Sequence, residues 1–237
     1  LGITYFRNYM RSFINIIGIS LLLVLGSCEQ FIDLQPLDKI GVDAYWKKSS
    51  DLQNYMLQFY PLFSPNTEMV NPSAILNGER TTRRGNWTGE WRNIRNVNIF
   101  FKYYERCEDN FESYKHYVGE AHFFRAWFYF DMLKTYGDLP WYSTVLDLDS
   151  ESELTKPRDP RTLVADNILA DLDKAIEYLS VRSVTGNSKI NKEVALAFKS
   201  RVALFEGSWQ KYHANSVFGT KGADPNKYFR QSVSAAE

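Results

Sequence analysis

Gly119-Glu120-Ala121-His122-Phe123-Phe124-Arg125-Ala126-Trp127-Phe128-Tyr129-Phe130, running on to Tyr136-Gly137-Asp138-Leu139-Pro140, decides the fold of this chain. Drawn as a helix, the segment carries aromatic side chains around most of its circumference, so Glu112 to Tyr136 reads as a helix covered on several sides. Gly137 is placed to end it in a left-handed cap, and Pro140 blocks its continuation. The whole chain shares the bias: 16% of its 237 residues are aromatic, enough both to pack an interior and to offer flat faces to a ligand.

Working outward, helical spacing recurs. Ser50 is placed to cap a segment through Leu52, Tyr55, Met56 and Phe59 that Pro61 and Pro65 end. From Glu90, the positions Trp91, Ile94, Val97, Asn98 and Phe101 form a stripe. Asp159-Pro160 opens a helix with a capping carboxylate and a proline in its first turn. Its apolar face is Val164, Ile168, Leu172, Ala175, Ile176 and Leu179, with Asp166, Asp171, Asp173, Lys174 and Glu177 toward water. Asn191 caps the next, whose expected seam is Val194, Phe198, Val202, Phe205, Trp209 and Tyr212. Asn226 to Glu237 begins another, with Tyr228, Phe229, Val233 and Ala236 and no stop signal, so a helical array read here is incomplete at its C-terminus.

Strand-like alternation is scarce. Ala121-x3-Arg125-Ala126-x-Phe128 is echoed by Ala197-x3-Arg201-Val202-x-Leu204, an offset (121 to 197) near twice the ~34-residue period of helix-turn-helix repeats, lengthened by the loop from Gly137 to Arg158. The fold class expected is mainly α, with tetratricopeptide-like helical repeats and irregular loop insertions. Two ordinary amphipathic helices that share Ala and Arg by chance are the alternative.

At the N-terminus, Arg11 and the apolar run Phe13 to Leu25 precede Leu25-Gly26-Ser27-Cys28, which resembles a bacterial lipobox. The run is interrupted by Asn15 and stopped by Glu29, short of the ~20 apolar residues of a membrane span. Residues 1–27 are therefore expected to be a lipoprotein signal peptide, 28–40 a lipidated tether anchored at Cys28, and 41–237 an α-helical domain. An ordinary secretory signal or a short buried helix is the alternative. Without residues 1–27 the chain keeps 26 basic against 28 acidic side chains, interleaved throughout, and no basic face for nucleic acid appears. Cys107 is then left alone and reads as a buried structural thiol.

The segment from Val70 to Gly89 differs in character. Pro72, Gly78, Gly85 and Gly89 punctuate a polar loop carrying Asn77, Arg80, Arg83, Arg84, Asn86 and Trp87. Trp, Arg and Asn suit sugar recognition, since an aromatic face covers the apolar side of a pyranose and planar polar groups bond neighbouring hydroxyls. The candidate ligand residues are Trp87, Arg80 and Asn86, then Trp91, each with packing as the alternative. Arg125 and Arg201, inside aromatic seams, read as structural guanidiniums that seek a carboxylate or helix-end carbonyls. His116 and His122 fall on different helical faces, and the acid pairs Asp147/Asp149 and Asp171/Asp173 show no partner, so no metal, cofactor or acid-base site is expected.

These landmarks together resemble the SusD/RagB family of outer-membrane nutrient-uptake lipoproteins. The likeness is carried by Cys28-Glu29-Gln30-Phe31-Ile32-Asp33-Leu34-Gln35-Pro36, by the Gly119 to Pro140 signature, by Ile168-x2-Asp171-Leu172-x2-Ala175 and by Ala195-x-Ala197-x3-Arg201-Val202-Ala203-Leu204. It implies a non-enzymatic lipoprotein at the outer-membrane surface that binds oligosaccharide or another nutrient and caps a SusC-like TonB-dependent transporter. Two other readings stay open: a helical-repeat adaptor that binds only protein, and an all-α glycosidase working through a carboxylate pair.

Overall fold

The computed structural model describes residues 45–63, 87–147, 149–214 and 216–237, and the described chain is helical nearly throughout. In order come α1 (Ser49–Leu57), a 3-10 turn at Tyr60–Phe63, α2 (Trp87–Tyr103), a second 3-10 turn at Tyr104–Arg106 and α3 (Phe111–Tyr136). There follow α4 (Glu151–Leu154), α5 (Arg161–Tyr178), α6 (Arg182–Thr185), α7 (Lys192–His213) and α8 (Pro225–Ala236). Extended pairing among these residues is confined to one isolated antiparallel bridge, Leu139 with Asp159.

The aromatic segment forms α3, and its burial explains its composition. Phe123, Phe124, Phe128, Tyr129 and Phe130 are all buried, because α1, α2 and α5 pack on α3 and Phe198 of α7 reaches the rings of Phe123 and Phe130. Each such ring contributes about 1.5–3 kcal/mol by leaving water. Asn110 caps the helix, its side chain accepting the Glu112 N–H at 2.9 Å. At the other end Gly137 takes φ +74°, ψ −120° and donates to the Leu133 carbonyl at 3.1 Å. The positive φ justifies the glycine, but ψ lies outside the left-handed helical well that the sequence suggested.

The long helices α3, α5, α7 and α8 stack as successive antiparallel neighbours. Gly119, early in α3, lies against Leu179 just past α5, so close that a Cβ there would sit 2.9 Å from the Leu179 side chain. Leu133, late in α3, accepts from Arg161 at the start of α5. Asp173 of α5 pairs with Lys199 of α7 while Arg161 pairs with Glu206 further along α7, and Gly207 of α7 meets Phe229 near the start of α8.

Two buried ion pairs stitch this stack. Arg125 of α3 donates from Nε and Nη2 to both carboxylate oxygens of Asp171 on α5, at 2.7 and 2.6 Å. Arg161 of α5 donates from Nε to Glu206 of α7 at 2.8 Å. The second pair repeats the first at an offset of 36 (125 to 161) and 35 (171 to 206), close to the repeat period. The two differ electrostatically. Burial drives the Asp171 carboxyl upward, but hydrogen bonds and charge from Arg125, with a further bond from His122, outweigh it and hold the group below the usual carboxylate range. At the other pair burial wins, pushing Glu206 up and Arg161 down.

Several expectations are corrected. Asp171 does not face water: it is 5% exposed. Arg201 is exposed, and so is Ala197, whereas Arg125 and Ala121 are buried, so the Ala/Arg echo does not mark equivalent environments. Helix α1 begins after Lys48, not at Ser50, with Asp51 accepting the Lys48 N–H at 2.9 Å. The carboxylate at the start of α5 is not Asp159, which accepts the Trp141 N–H, but Asp138, which accepts the Arg161 N–H at 2.8 Å. The inner face of α7 is Ala195, Phe198, Val202, Ala203, Glu206, Gly207 and Gln210; Val194 and Tyr212 are exposed and Phe205 and Trp209 half-buried. In α8 the buried residues are Tyr228, Ser232 and Ala235, with Val233 and Ala236 outside. Asn191 does cap α7, accepting the Val194 N–H at 3.0 Å, and Cys107 is buried, its thiol pushed upward by desolvation.

Candidate functional site

The start of α2 supplies one wall of a cleft. Trp87, Trp91, Ile94, Arg95 and Asn98 fall on a single helical face because they are spaced by three or four residues. The stretch leaving α3 forms the other wall through Pro140, Tyr142, Thr144, Leu146 and Asp147, with Leu154 of α4 closing it. The cleft encloses about 580 Å³, within the ~300–1,000 Å³ of small-molecule sites.

Three rings shape its interior. Trp87 and Trp91 stand edge to face at 5.3 Å and 77°, and Trp91 meets Tyr142 at 5.4 Å and 62°. Their planes differ, so they offer faces in several directions. Trp87 is 38% exposed and Trp91 and Tyr142 are half-buried, leaving each ring surface to cover a ligand. Arg95 spends one Nη1 donor on the Leu146 carbonyl, and a guanidinium has five N–H groups in all.

The loop wall is held by buried polar groups. Asn98 donates from Nδ2 to the carbonyls of Tyr142 and Thr144 at 3.0 and 3.1 Å, and its Oδ1 accepts from Arg125 Nη1 at 3.3 Å. Tyr129 accepts the Tyr142 N–H at 2.7 Å and donates to the Tyr142 carbonyl at 3.2 Å. Burial pushes the Tyr129 hydroxyl's pKa upward, which keeps it a neutral donor and acceptor. The Asp171–Arg125 pair therefore fixes Asn98, and Asn98 fixes the loop facing the tryptophans.

Of the candidates read from sequence, the structure brings Trp87 and Trp91 into one cleft. Arg80, Asn86 and the lipid-bearing candidate Cys28 lie outside the described residues. The loop reading fails for Trp87, Thr88 and Gly89, which form the first turn of α2 rather than preceding it. Sequence reasoning missed Arg95 and Tyr142. Arg95 was findable, four residues after Trp91 on the same face; Tyr142 was not, since only the path of the chain after Pro140 brings it opposite.

The chemistry fits binding better than bond cleavage. A glycosidase places two carboxyl groups around one bond, and Asp147 is the one acid lining the cleft among the described residues. Asp171 is committed to Arg125 and His122, and Asp173 to Lys199. Both histidines of α3 are tied into the fold: Ser180 N donates to His116 Nδ1 at 3.1 Å, and His122 Nδ1 meets Asp171 at 2.8 Å. Among the described residues no group of three or more His, Cys, Asp or Glu is placed to hold a metal ion.

Comparison with known proteins accords with this architecture. A SusD-like protein of Formosa agariphila is 24% identical over 229 residues, 86% of this chain and 44% of that protein. A SusD-like protein of Bacteroides fragilis superposes with TM-score 0.60 at 25% identity, covering 74% of this chain and 38% of its own. A laminarin-binding SusD-like protein superposes with TM-score 0.57 at 17% identity over 70% of this chain and 42% of its own. The chain thus spans less than half the length of these relatives, and it shares their tetratricopeptide-like helical fold. Residues 31–204 match the SusD-like family described as starch-binding and associating with the outer membrane, and the chain belongs to that family.

Proposed function

We propose that the protein is a cell-surface lipoprotein that binds oligosaccharide and delivers it to a SusC-like TonB-dependent transporter in the outer membrane. Residues 1–27 serve as signal peptide, Cys28 carries the lipid, 28–40 form the tether, and 41–237 form the binding domain. The cleft of Trp87, Trp91 and Tyr142, in a chain of this family, is the observation that carries the reading. Aromatic faces cover the apolar sides of sugar rings while Arg95 supplies hydroxyl-directed donors. Arg80 and Asn86, just before Trp87 in the chain, remain candidate ligand contacts by their chemistry. Family description and a laminarin-binding neighbour both favour a glucan. Ligand is bound and passed on with no bond made or broken; contacts made only in the closed state with the transporter favour closure.

Affinity electrophoresis of the protein through gels containing starch or laminarin tests the binding. Retardation that is lost in Trp91→Ala supports the assignment; equal migration of wild type with and without either glucan counts against it. Labelled palmitate should enter the wild type and not Cys28→Ser. Deleting the transporter should abolish uptake and leave that labelling intact.

A further inference from the structure

The end of α3, the residues before α5 and the last turns of α7 enclose a second cavity of about 450 Å³, outside the cleft described above. Its polar lining includes Lys134, Tyr136, Arg158 and Arg161, and Trp209 and Phe218 supply ring surface. Two of these side chains hold donors that the fold leaves unused. Arg161 is 2% exposed; Nε serves Glu206, Nη1 serves the Leu133 carbonyl and the guanidinium lies 4.2 Å over the Trp209 ring, yet Nη2 has no hydrogen-bond partner among the described residues. The Tyr136 hydroxyl is likewise buried without a partner there. Buried polar groups are nearly always satisfied, so two orphan donors on residues that line one cavity point to an acceptor that enters it and is met by a small turn of these side chains.

The cavity adjoins the cleft. Tyr136, which lines the cavity, packs edge to face on Trp87 of the cleft at 4.9 Å, and Arg158, also of the cavity, lies 5.5 Å over the other ring of that contact, Trp87. Trp87 on the cleft side, packed against Tyr136 and Arg158 on the cavity side, forms the partition between the two. Formal charge in the cavity is nearly balanced: Lys134 pairs with Asp131, Arg161 with Glu206, and Asp138 lines the cavity along with Arg158. A neutral ligand rich in acceptor oxygens fits this better than a polyanion.

We propose that this cavity is a second saccharide subsite, occupied by the units of one oligosaccharide that continue past Trp87 from the first cleft. The proposal rests on the glycan-binding reading of that cleft. It is tested by isothermal titration of the protein with maltooligosaccharides and laminarioligosaccharides from disaccharide to heptasaccharide, using wild type, Tyr136→Phe, Phe218→Ala and Trp91→Ala. Affinity should rise with chain length in wild type. Tyr136→Phe should lose about 2–10-fold on the long chains, the worth of one hydrogen bond, and nothing on the short ones. Its thermal midpoint should hold or rise, since an unsatisfied hydroxyl is gone, which separates lost contact from lost fold. Phe218→Ala, at an exposed position, should show the same selectivity for long chains. Wild-type affinity for long chains in both variants, with Trp91→Ala still defective on short ones, overturns the second subsite and leaves the cleft standing. No binding of either series by wild type sinks both.

Discussion

Replacing Asp171 by Ala should be among the most damaging single changes available to this fold. Asp171 accepts three hydrogen bonds, from Arg125 Nε, Arg125 Nη2 and His122 Nδ1, at 2.6 to 2.8 Å, and both members of the ion pair are under 10% exposed. Removal leaves the Arg125 guanidinium buried, with only the long bonds to Asn98 and Ser143 at 3.3 and 3.4 Å and the Phe101 ring at 4.4 Å. Breaking a buried pair from one side costs about 3–5 kcal/mol. For a chain of this size that lowers the midpoint by roughly 6–20 °C. Urea and thermal unfolding followed by circular dichroism measure it. The pH dependence has a definite sign: Asp171 is held below its unfolded value of about 3.9, so its contribution is complete above that value and fades as pH falls through the folded one. The gap between wild type and Asp171→Asn should therefore be flat at neutral pH and close in acid below about pH 4. A loss under about 1 kcal/mol for Asp171→Ala, the size seen for surface pairs, would refute the argument.

Glu206→Gln should cost less than Asp171→Asn, because burial already pushes the Glu206 carboxyl upward whereas Asp171 is stabilised as the anion; equal losses in urea titrations would contradict this. In Gly119→Ala the new Cβ would lie 2.9 Å from the Leu179 side chain and backbone nitrogen, so about 1–3 kcal/mol of overpacking should exceed the ~0.5–1 kcal/mol gained by removing a helical glycine, and a more stable variant would show that α3 and α5 can separate freely. Asn98→Asp keeps the acceptor for Arg125 but removes both donors to the loop, so amide exchange at Tyr142 to Leu146 should speed up while the α3 core stays protected; unchanged loop exchange would show that Asn98 does not hold the wall.

How much of this could be read from the chain depended on whether the cause was local. The aromatic run of α3 required burial on several sides wherever it packed, and Asn191 carries its capping chemistry with it. The start of α2 was hidden because Gly89, a loop former by habit, sits in its first turn behind a polar stretch. Asp171 is one residue from Leu172, at the edge of the apolar stripe, and it takes Arg125 and His122, 46 and 49 residues earlier, to turn that edge inward. The seam of α7 was misdrawn for the same reason: Glu206 and Gln210 look like surface residues until Arg161 and Thr220 supply their partners. In the site, Trp87 and Trp91 suggested themselves by chemistry and Arg95 lay within reach of helical spacing, but the facing loop depends on bonds between segments more than 40 residues apart.

The central claim is that the Trp87–Trp91–Tyr142 cleft binds sugar, and calorimetric titration of the protein with a panel of plant and host oligosaccharides, beside a Trp87→Ala/Trp91→Ala variant, tests it most directly. The expected result is saturable binding to at least one glycan, weakened about tenfold or more in the double variant, a difference of about 1.4 kcal/mol. Glycan binding that the double variant retains in full, or no heat with any member of the panel, would contradict it.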